Sequence, residues 1–273
     1  MSADLNADGA SLAREARQWW KTGIIDIQPG VIRVKGEPIE ALIGATSFPA
    51  MIWRMLRDDV PDEGQARLLE AALVSAVDHG PQAPSIAIAR MSVTCGLGLN
   101  GAMASAINVL DDIHGGAGEQ CLALYQDALG RMQDGAGLDE AVDAALAAYR
   151  EAHGSIVPGF GHRFHPVDPR AVRLSQLAEA AREAGTVPGR HLAVAAAIQA
   201  RLRTRSGRPI PMNIDGATAM IYGELGFPPA LARGLFILSR SVGILAHAWE
   251  QTQQGGRIKG PLPPSLGYTY TGR

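Results

Sequence analysis

Cysteine is nearly absent from this chain, which has only Cys95 and Cys121 among its 273 residues. Two cysteines exclude a disulfide framework and favour a reducing compartment, so we expect a cytoplasmic protein. Aromatic residues make up only 5% of the chain, and the formal net charge is −2. This charge excludes a broad basic surface for nucleic acid or an anionic membrane, although it leaves room for a local basic pocket.

Long uninterrupted hydrophobic runs are also scarce. Residues 91–110 carry no charge and could span a bilayer by length, but Ser, Thr, Asn and Gly interrupt them throughout. This segment predicts one buried helix or two packed segments of a soluble core. The first residues show no charged-then-apolar leader pattern, so we expect no secretory signal.

Strand signals are few. Residues 24–28 and 31–35 alternate apolar and polar side chains around Pro29-Gly30, which predicts a small N-terminal β-hairpin. Elsewhere apolar residues recur at helical spacing, and alanine, the best helix former, is frequent. These patterns predict helices at residues 11–21, 61–79, 137–151, 170–184, 190–205, 216–225 and 229–250. Short loops rich in glycine and proline join them, so the predicted fold is all-α.

Two motifs suggest functions that their context does not support. Residues 96–101 fit the dinucleotide-binding pattern G-x-G-x-x-G, but that motif needs a preceding strand and a βαβ setting, which the chain lacks. His162, His165 and Asp168 lie within seven residues and could bind a metal, yet Arg163 and Arg170 crowd the same segment with positive charge. We therefore predict no dinucleotide site and no metal site.

Four other segments place ionisable side chains beside glycine, where a ligand can approach the backbone closely. They are VDHG with His79, HGGAGE with His114, VPGFGHR with His162, and MNIDG with Asp215. Taken singly, each histidine is more often a core or surface residue than a functional one. Asp215 taken singly is best interpreted as a helix N-cap.

The order and spacing of these segments, followed by LSRSVGILAHAWEQ and GRIKG, resemble the citrate synthase superfamily over about residues 40–270. The segments around His114 and His162 are the most specific. Three features resemble the citryl-CoA lyases, including the lyase module of ATP-citrate lyase. The chain is short, its ending is similar to the lyase type, and Gly260 precedes Pro261 where a synthase usually has Arg-Pro.

The resemblance implies a two-domain helical fold. A large domain would comprise residues 1–118 and 217–273, and a small domain would be inserted at residues 119–216. It implies a homodimer whose domains close around substrate. The implied reaction is cleavage of citryl-CoA to acetyl-CoA and oxaloacetate. Two alternatives stay open: a synthase that condenses an acyl-CoA with a 2-oxo acid, and a non-catalytic CoA-binding subunit of a larger complex.

The resemblance also assigns roles to residues. Asp215 would be the acid–base group, His114 would donate a hydrogen bond to the thioester oxygen, and His162 would act at the 2-oxo carbonyl. The residues that would bind substrate carboxylates are His79, Arg170 and Arg240. Those that would bind CoA, through backbone groups or phosphate contacts, are Val157, Gly159, Phe160, Gly161, Arg163, Arg257 and Lys259.

The resemblance implies no bound cofactor or metal, because the CoA thioester is itself the substrate that activates the methyl group. Two departures from the synthase pattern bear on the site. The loop from His162 to Asp168 is one residue shorter, which affects the placement of Arg170. The arginine that a second subunit usually supplies has no match, and Arg257 or Lys259 could replace it. From the residues alone, Arg170 could equally form a surface salt bridge and Arg240 could lie on an exposed helix face.

Overall fold

A computed structural model describes residues 2–162, 166–203 and 207–272 of the chain. The chain divides into two compact units, residues 1–66 and 67–273. The predicted inserted domain at residues 119–216 lies wholly inside the second unit, and its separation from the rest of that unit stays a prediction. Every candidate site residue lies in the second unit.

The first unit holds the small sheet and the first helices. Its elements are α1 (Ser2–Trp19), β1 (Ile25–Gln28), β2 (Val31–Val34), β3 (Glu37–Pro38), α2 (Ile39–Leu42) and α3 (Phe48–Leu56). Strands β1 and β2 pair antiparallel from Ile25 opposite Val34 to Gln28 opposite Val31, which confirms the predicted hairpin. Gly30 takes a φ of +74° at the turn, a value that glycine adopts without strain.

The regular secondary structure in the described part of the second unit is helical, apart from isolated bridges between loops. The chain enters it within α4 (Glu63–Ser75). The helices that follow are α5 (Pro84–Thr94), α6 (Leu99–Ile107), α7 (Ala117–Gln133), α8 (Leu138–His153), α9 (Pro169–Glu183), α10 (Arg190–Arg201), α11 (Ile214–Glu224) and α12 (Pro229–Gln254). The predicted all-α fold class is confirmed.

Helix α11 is the centre of this unit. All of its residues except Asp215 are buried, and α7, α9, α10 and α12 pack against it. A helix that is apolar around its whole circumference is stable only when neighbours surround it. The one polar residue in its first turn, Asp215, is therefore held in a well-supported position.

Helix α12 is the longest helix of the described chain, with 26 residues. It is the one helix among the described residues that is long and apolar enough to cross a membrane. However, α5, α6 and α7 pack along it, and it carries the buried charge of Arg240. Part of its apolar surface therefore packs against neighbouring helices of the same unit.

The predictions for individual helices are correct in most cases but not all. Residues 91–110 form two packed helices, α5 and α6, and the G-x-G-x-x-G match lies at the turn between them with no strand before it. Helix α4 ends at Ser75 rather than 79, so His79 lies in a loop. The sequence patterns missed α3, which is only nine residues long, and α7, whose pattern glycine interrupts at Gly118 and Gly130.

Candidate active site

One face of α12 holds the loop that carries His79. The Ser239 hydroxyl donates to the Leu73 carbonyl at 2.5 Å, and Arg240 Nε donates to the Ala76 carbonyl at 3.1 Å. The Gly243 N–H donates to the Val77 carbonyl at 3.1 Å. A Cβ at Gly243 would overlap this carbonyl, so the close approach of loop and helix requires glycine.

His79 emerges from this loop with its side chain exposed to solvent. Its ring packs edge-on against His162, with 6.1 Å between ring centroids. The surrounding protein lowers the pKa of His79 by desolvation, and the positive charges of Arg170 and Arg240 lower it further. A neutral, accessible imidazole between two guanidinium groups can donate a hydrogen bond to a ligand carboxylate.

His114 is half-buried and is fixed by the first turn of α5. Its Nε2 accepts the Ser85 backbone N–H at 3.2 Å and lies 3.0 Å from the Ser85 hydroxyl. A backbone N–H is only a donor, so Nε2 is the acceptor and the ring proton is on Nδ1. Desolvation and the charge of Arg240 lower the pKa of His114. The ring is therefore a neutral hydrogen-bond donor through Nδ1.

The loop before His114 is held from α12 as well. Arg233 forms ion pairs with Asp111 and Asp112, each at 2.5 Å, and a further pair with Glu119 in the first turn of α7. These contacts fix both ends of the HGGAGE segment. Its glycines come close to other site elements, because a Cβ at Gly118 would lie 3.8 Å from the Asp215 carbonyl.

Asp215 is the second residue of α11, and the N-cap is Asn213. The Asn213 side chain accepts the N–H groups of Asp215 and Gly216 at 2.9 and 3.3 Å. The interpretation of Asp215 as an N-cap is therefore wrong, because Asn213 already fills that position and leaves the carboxyl of Asp215 free for another role. Desolvation raises the pKa of Asp215, although the charges of Arg170 and Arg240 oppose the rise.

Arg170 is oriented by a buried carboxylate. Asp168 is only 1% exposed and accepts from Arg170 Nε at 3.0 Å and from Arg170 Nη2 at 2.9 Å. It also accepts the Arg170 N–H at 3.0 Å as the N-cap of α9, and the Ile214 N–H at 3.1 Å. Burial alone would raise the pKa of Asp168, but these bonds lower it. A surface salt bridge is thus the wrong interpretation for Arg170.

Arg240 is buried, at 5% exposure, so an exposed helix position is also the wrong interpretation. Its guanidinium lies over the Phe236 ring, 5.0 Å from the centroid. Burial lowers its pKa, while the negative charges of Asp78 and Asp215 raise it. Its Nε donates to Ala76, and a guanidinium group has two further nitrogens that can donate to a ligand.

These residues form one group, which we call the polar centre: His79, His114, His162, Arg170, Asp215 and Arg240. Arg240 influences the pKa of His79, His114 and Asp215, and Arg170 influences that of His79 and Asp215. Residues predicted separately from five segments of sequence therefore meet within one unit. Together they offer a carboxyl of raised pKa, neutral imidazoles and two arginine cations.

The glycine-rich loop at residues 157–161 lies beside the polar centre. Val157 and Phe160 are buried, and Gly159 and Gly161 both have a φ of +80°. The Gly159 and Gly161 carbonyls accept from Asn213, through its N–H at 3.0 Å and its side-chain Nδ2 at 2.6 Å. This loop and the Asp215 segment are thus bonded to one another through Asn213.

The remaining predicted CoA contacts lie apart from the polar centre or outside the described residues. Arg257 and Lys259 are exposed, and their segment is pinned to the end of α5. The N–H groups of Ile258 and Lys259 donate to the Thr94 carbonyl and hydroxyl, each at 3.0 Å. His114 meets the opposite end of this helix, roughly 14 Å away at 1.5 Å per residue. Arg163 and His165 lie outside the described residues.

Sequence reasoning missed three residues that hold this site together: Ser85, Asn213 and Asp168 in its bonding role. Their signals are weak, because each is a polar residue at the start of a helix. The sequence interpretation gave the cap to Asp215, whereas the backbone geometry places it at Asn213. Within the described residues, no group of three or more His, Cys, Asp or Glu side chains is placed to hold a metal ion.

Comparisons with known proteins agree with this geometry. A sequence profile described as "Citrate synthase, C-terminal domain" matches residues 20–261. The citrate synthase of Haloferax volcanii is 33% identical over 228 residues, which are 82% of this chain and 55% of that protein. The chain thus spans about half the length of the curated relatives it matches.

Two solved structures share the fold. The citryl-CoA lyase of Hydrogenobacter thermophilus has a TM-score of 0.79 and 30% identity, and the match covers 93% of this chain and 95% of that one. The ATP citrate lyase of Methanothrix soehngenii, solved with citrate and coenzyme A, has a TM-score of 0.73 and 21% identity, over 93% of this chain and 42% of that one. The chain belongs to the citrate synthase family, and its predicted citrate synthase-like fold is confirmed.

Proposed function

We propose that this protein is a citryl-CoA lyase, which cleaves citryl-CoA to acetyl-CoA and oxaloacetate. The observation that carries the proposal is the polar centre, in which a carboxyl of raised pKa and a neutral Nδ1–H imidazole lie with two arginines. The lyase rather than the synthase direction is supported by the likeness to the Hydrogenobacter thermophilus enzyme, which matches this chain over nearly its whole length.

In the cleavage reaction, His162 accepts the hydroxyl proton of citryl-CoA as the adjacent carbon–carbon bond breaks. The hydroxyl carbon becomes the carbonyl of oxaloacetate, and the bonding electron pair moves to the thioester enol. His114 donates its Nδ1–H to the thioester oxygen, where negative charge develops. Asp215 then delivers a proton to the terminal carbon, which completes the methyl group of acetyl-CoA. The raised pKa of Asp215 favours this protonated form.

The carboxylates of the substrate would be bound by His79, Arg170 and Arg240. Both guanidinium groups are bonded to protein, Arg170 through Nε and Nη2 to Asp168, and Arg240 through Nε to Ala76. Their guanidinium groups are therefore pre-oriented, which reduces the entropy lost when a carboxylate binds. The CoA part would lie along residues 157–161, with Arg163, Arg257 and Lys259 near its phosphates.

A synthase that makes citrate or a related acid is the second candidate. It is favoured by the curated relatives, since the Haloferax volcanii protein is a citrate synthase. The same polar centre can run the reaction toward bond formation, with Asp215 as the base that removes a methyl proton. The two activities differ in whether water hydrolyses the citryl thioester. A non-catalytic CoA-binding subunit is the candidate of another class, and the complete polar centre counts against it.

We also propose that the protein is a homodimer. Leu238, Val242, Leu245 and Trp249 form a narrow stripe along α12, and each is between 41% and 59% exposed. Their spacing places them on one side of the helix, opposite the face that holds the His79 loop. An exposed apolar stripe of this kind is typical of a subunit interface, and a second copy of the chain could cover it symmetrically.

Domain closure is a further part of the proposal. His162, Arg170 and Asp215 come from the predicted inserted domain, and His79, His114 and Arg240 come from the predicted large domain. Substrate that contacts both sets would draw them together and exclude water. A crystal structure with CoA and oxaloacetate whose domains hold the same angle as without ligand would contradict this part.

The deciding experiment incubates the purified full chain with citryl-CoA and identifies the products by mass spectrometry. Acetyl-CoA with oxaloacetate would support the lyase. Citrate with free CoA would show thioester hydrolysis and overturn the lyase in favour of the synthase. Retained CoA binding with no product would favour the non-catalytic subunit.

A further inference from the structure

His247, on α12, lies outside the polar centre and contacts the loop that carries His79. Its Nε2 is 3.2 Å from Asp78 Oδ1, and its Nδ1 is 3.0 Å from Arg90 Nη1 on α5. The same Arg90 donates to Glu250 at 2.5 Å and to Gln254 at 2.6 Å. His247 thus connects α5 and α12 to the residue that immediately precedes His79.

The neighbours of His247 fix its tautomer. A guanidinium group has donors and no acceptor, so Arg90 must donate to Nδ1. The ring proton is then on Nε2, from which it is donated to the Asp78 carboxylate. In this form His247 is a neutral bridge with one acceptor and one donor, each matched to its partner.

Asp78 links His247 to the backbone of the next residues. Its carboxylate also accepts the Gly80 N–H at 3.1 Å, and Gly80 has a φ of +81°. The carboxylate therefore closes the turn in which His79 is the middle residue. Ser239, Arg240 and Gly243 hold residues 73–77 from the same helix, and His247 continues this row of contacts one turn further to Asp78.

We propose that His247 is a positioning residue for His79. It acts through Asp78 to hold the 78–80 turn, so that the His79 imidazole faces His162 and the two arginines. The inference rests on the proposed function, in which His79 binds a carboxylate of the substrate. A variant that cannot bridge Arg90 and Asp78 should weaken binding of that carboxylate and leave the chemical step nearly unchanged.

The test compares His247→Gln with His247→Leu. The glutamine amide carries one donor and one acceptor on neighbouring atoms and can replace both bonds, whereas leucine fills the space and makes neither. We expect H247L to weaken oxaloacetate binding, measured by calorimetry, by roughly 10- to 100-fold, as for loss of a hydrogen bond to a charged group. We expect kcat to change less than about threefold, because the weaker binding of the carboxylate affects the ground state and the transition state equally.

H247Q should bind oxaloacetate within about threefold of wild type. Glu250→Gln is the matched control, because it removes an exposed partner of Arg90 and leaves the bond to Asp78. In a His79→Ala background, H247L should add little further loss, since two residues that act as a unit are not additive. Equal losses in H247Q and H247L, or full additivity with H79A, would overturn the proposal.

Amide hydrogen exchange of residues 78–80 provides a readout that needs no substrate. H247L should speed exchange at Gly80, and H247Q should not. If wild-type protein binds no oxaloacetate, the proposed function fails, while the exchange data still decide whether His247 holds the turn. Unchanged exchange in H247L would contradict the positioning role whatever the activity.

Discussion

Burial and charge shift the pKa values of several side chains of the polar centre away from those they have in water. Desolvation raises the pKa of Asp215 and lowers those of His114 and His79. Each shift matches the proposed role, because a proton donor must hold its proton and a neutral imidazole can donate without adding a third positive charge. Such shifts carry a cost in stability, because the folded state binds protons differently from the unfolded state.

The substitution Asp215→Asn tests both the proposed acid–base role of Asp215 and the cost in stability of its raised pKa. The change removes the acid–base group, so we expect activity to fall by roughly 10²- to 10⁴-fold. The folded pKa of Asp215 lies above its unfolded value of 3.8. Wild type therefore loses stability as pH rises from 3.8 through the folded pKa, and the loss persists above it.

D215N avoids this loss, so its Tm should exceed that of wild type at pH 7, and the difference should disappear below about pH 4. Thermal unfolding followed by circular dichroism across this pH range would measure it. A D215N protein that is less stable than wild type at pH 7 would contradict the assigned direction of the shift.

The tautomer of His114 is a second prediction at this scale. The bond from the Ser85 N–H to Nε2 requires the proton on Nδ1. Nitrogen NMR of selectively labelled protein at pH 7 should show a neutral His114 with Nδ1 protonated. A spectrum with Nε2 protonated would contradict the assignment. His114→Ala should lower kcat by about 10²- to 10³-fold, as for loss of one donor to a developing oxyanion.

At the scale of the element, helix α12 contributes to the site in three ways. One face bonds to the His79 loop, Arg233 near its start pairs with the loop before His114, and Arg240 itself enters the polar centre. The opposite side carries the exposed apolar stripe. A single helix therefore connects the proposed substrate-binding residues to the proposed subunit interface.

Two glycines of α12 give a matched pair of substitutions. Gly234 has open space where a Cβ would be, whereas a Cβ at Gly243 would overlap the Val77 carbonyl. Gly234→Ala should stabilise the protein by about 0.5–1 kcal/mol through helix propensity. Gly243→Ala gains the same propensity but forces loop and helix apart, so we expect a net destabilisation of about 1–3 kcal/mol.

Urea unfolding of both variants would measure these changes. Weakened oxaloacetate binding should accompany G243A alone, because the displaced loop carries His79. Equal changes in the stability of the two variants would show that the close approach of α12 to the His79 loop does not require glycine at position 243.

The sequence predicted most helices and all six residues of the polar centre, but not the contacts that orient them. Helical periodicity and alanine content are local signals, which is why α8 to α12 could be predicted. Helix α7 was missed because glycine interrupts it at Gly118 and Gly130. The N-cap was assigned wrongly to Asp215, because the position of Asn213 depends on long-range bonds to Gly159 and Gly161 that no local pattern shows.

At the scale of the whole molecule, the proposed homodimer can be tested through the stripe on α12. Val242 is 59% exposed, so Val242→Glu should not disturb a monomer. We expect it to halve the mass measured by light scattering, because a charge would be buried without a partner at the interface. Val172→Glu on α9, an exposed apolar residue away from the stripe, is the control. A wild-type protein that is monomeric at micromolar concentration would contradict the dimer.

The four hydrogen bonds that Asp168 accepts have a consequence for how this protein can evolve. A single buried carboxylate serves the backbone and side chain of Arg170 and the first amide of α11. Replacing Asp168 would leave the Arg170 N–H, the Arg170 guanidinium and the Ile214 N–H without this acceptor in a single substitution. A lineage that changes its substrate can therefore vary Arg170 or its surroundings only while Asp168 remains, because the two backbone N–H groups need this acceptor whatever side chain stands at position 170.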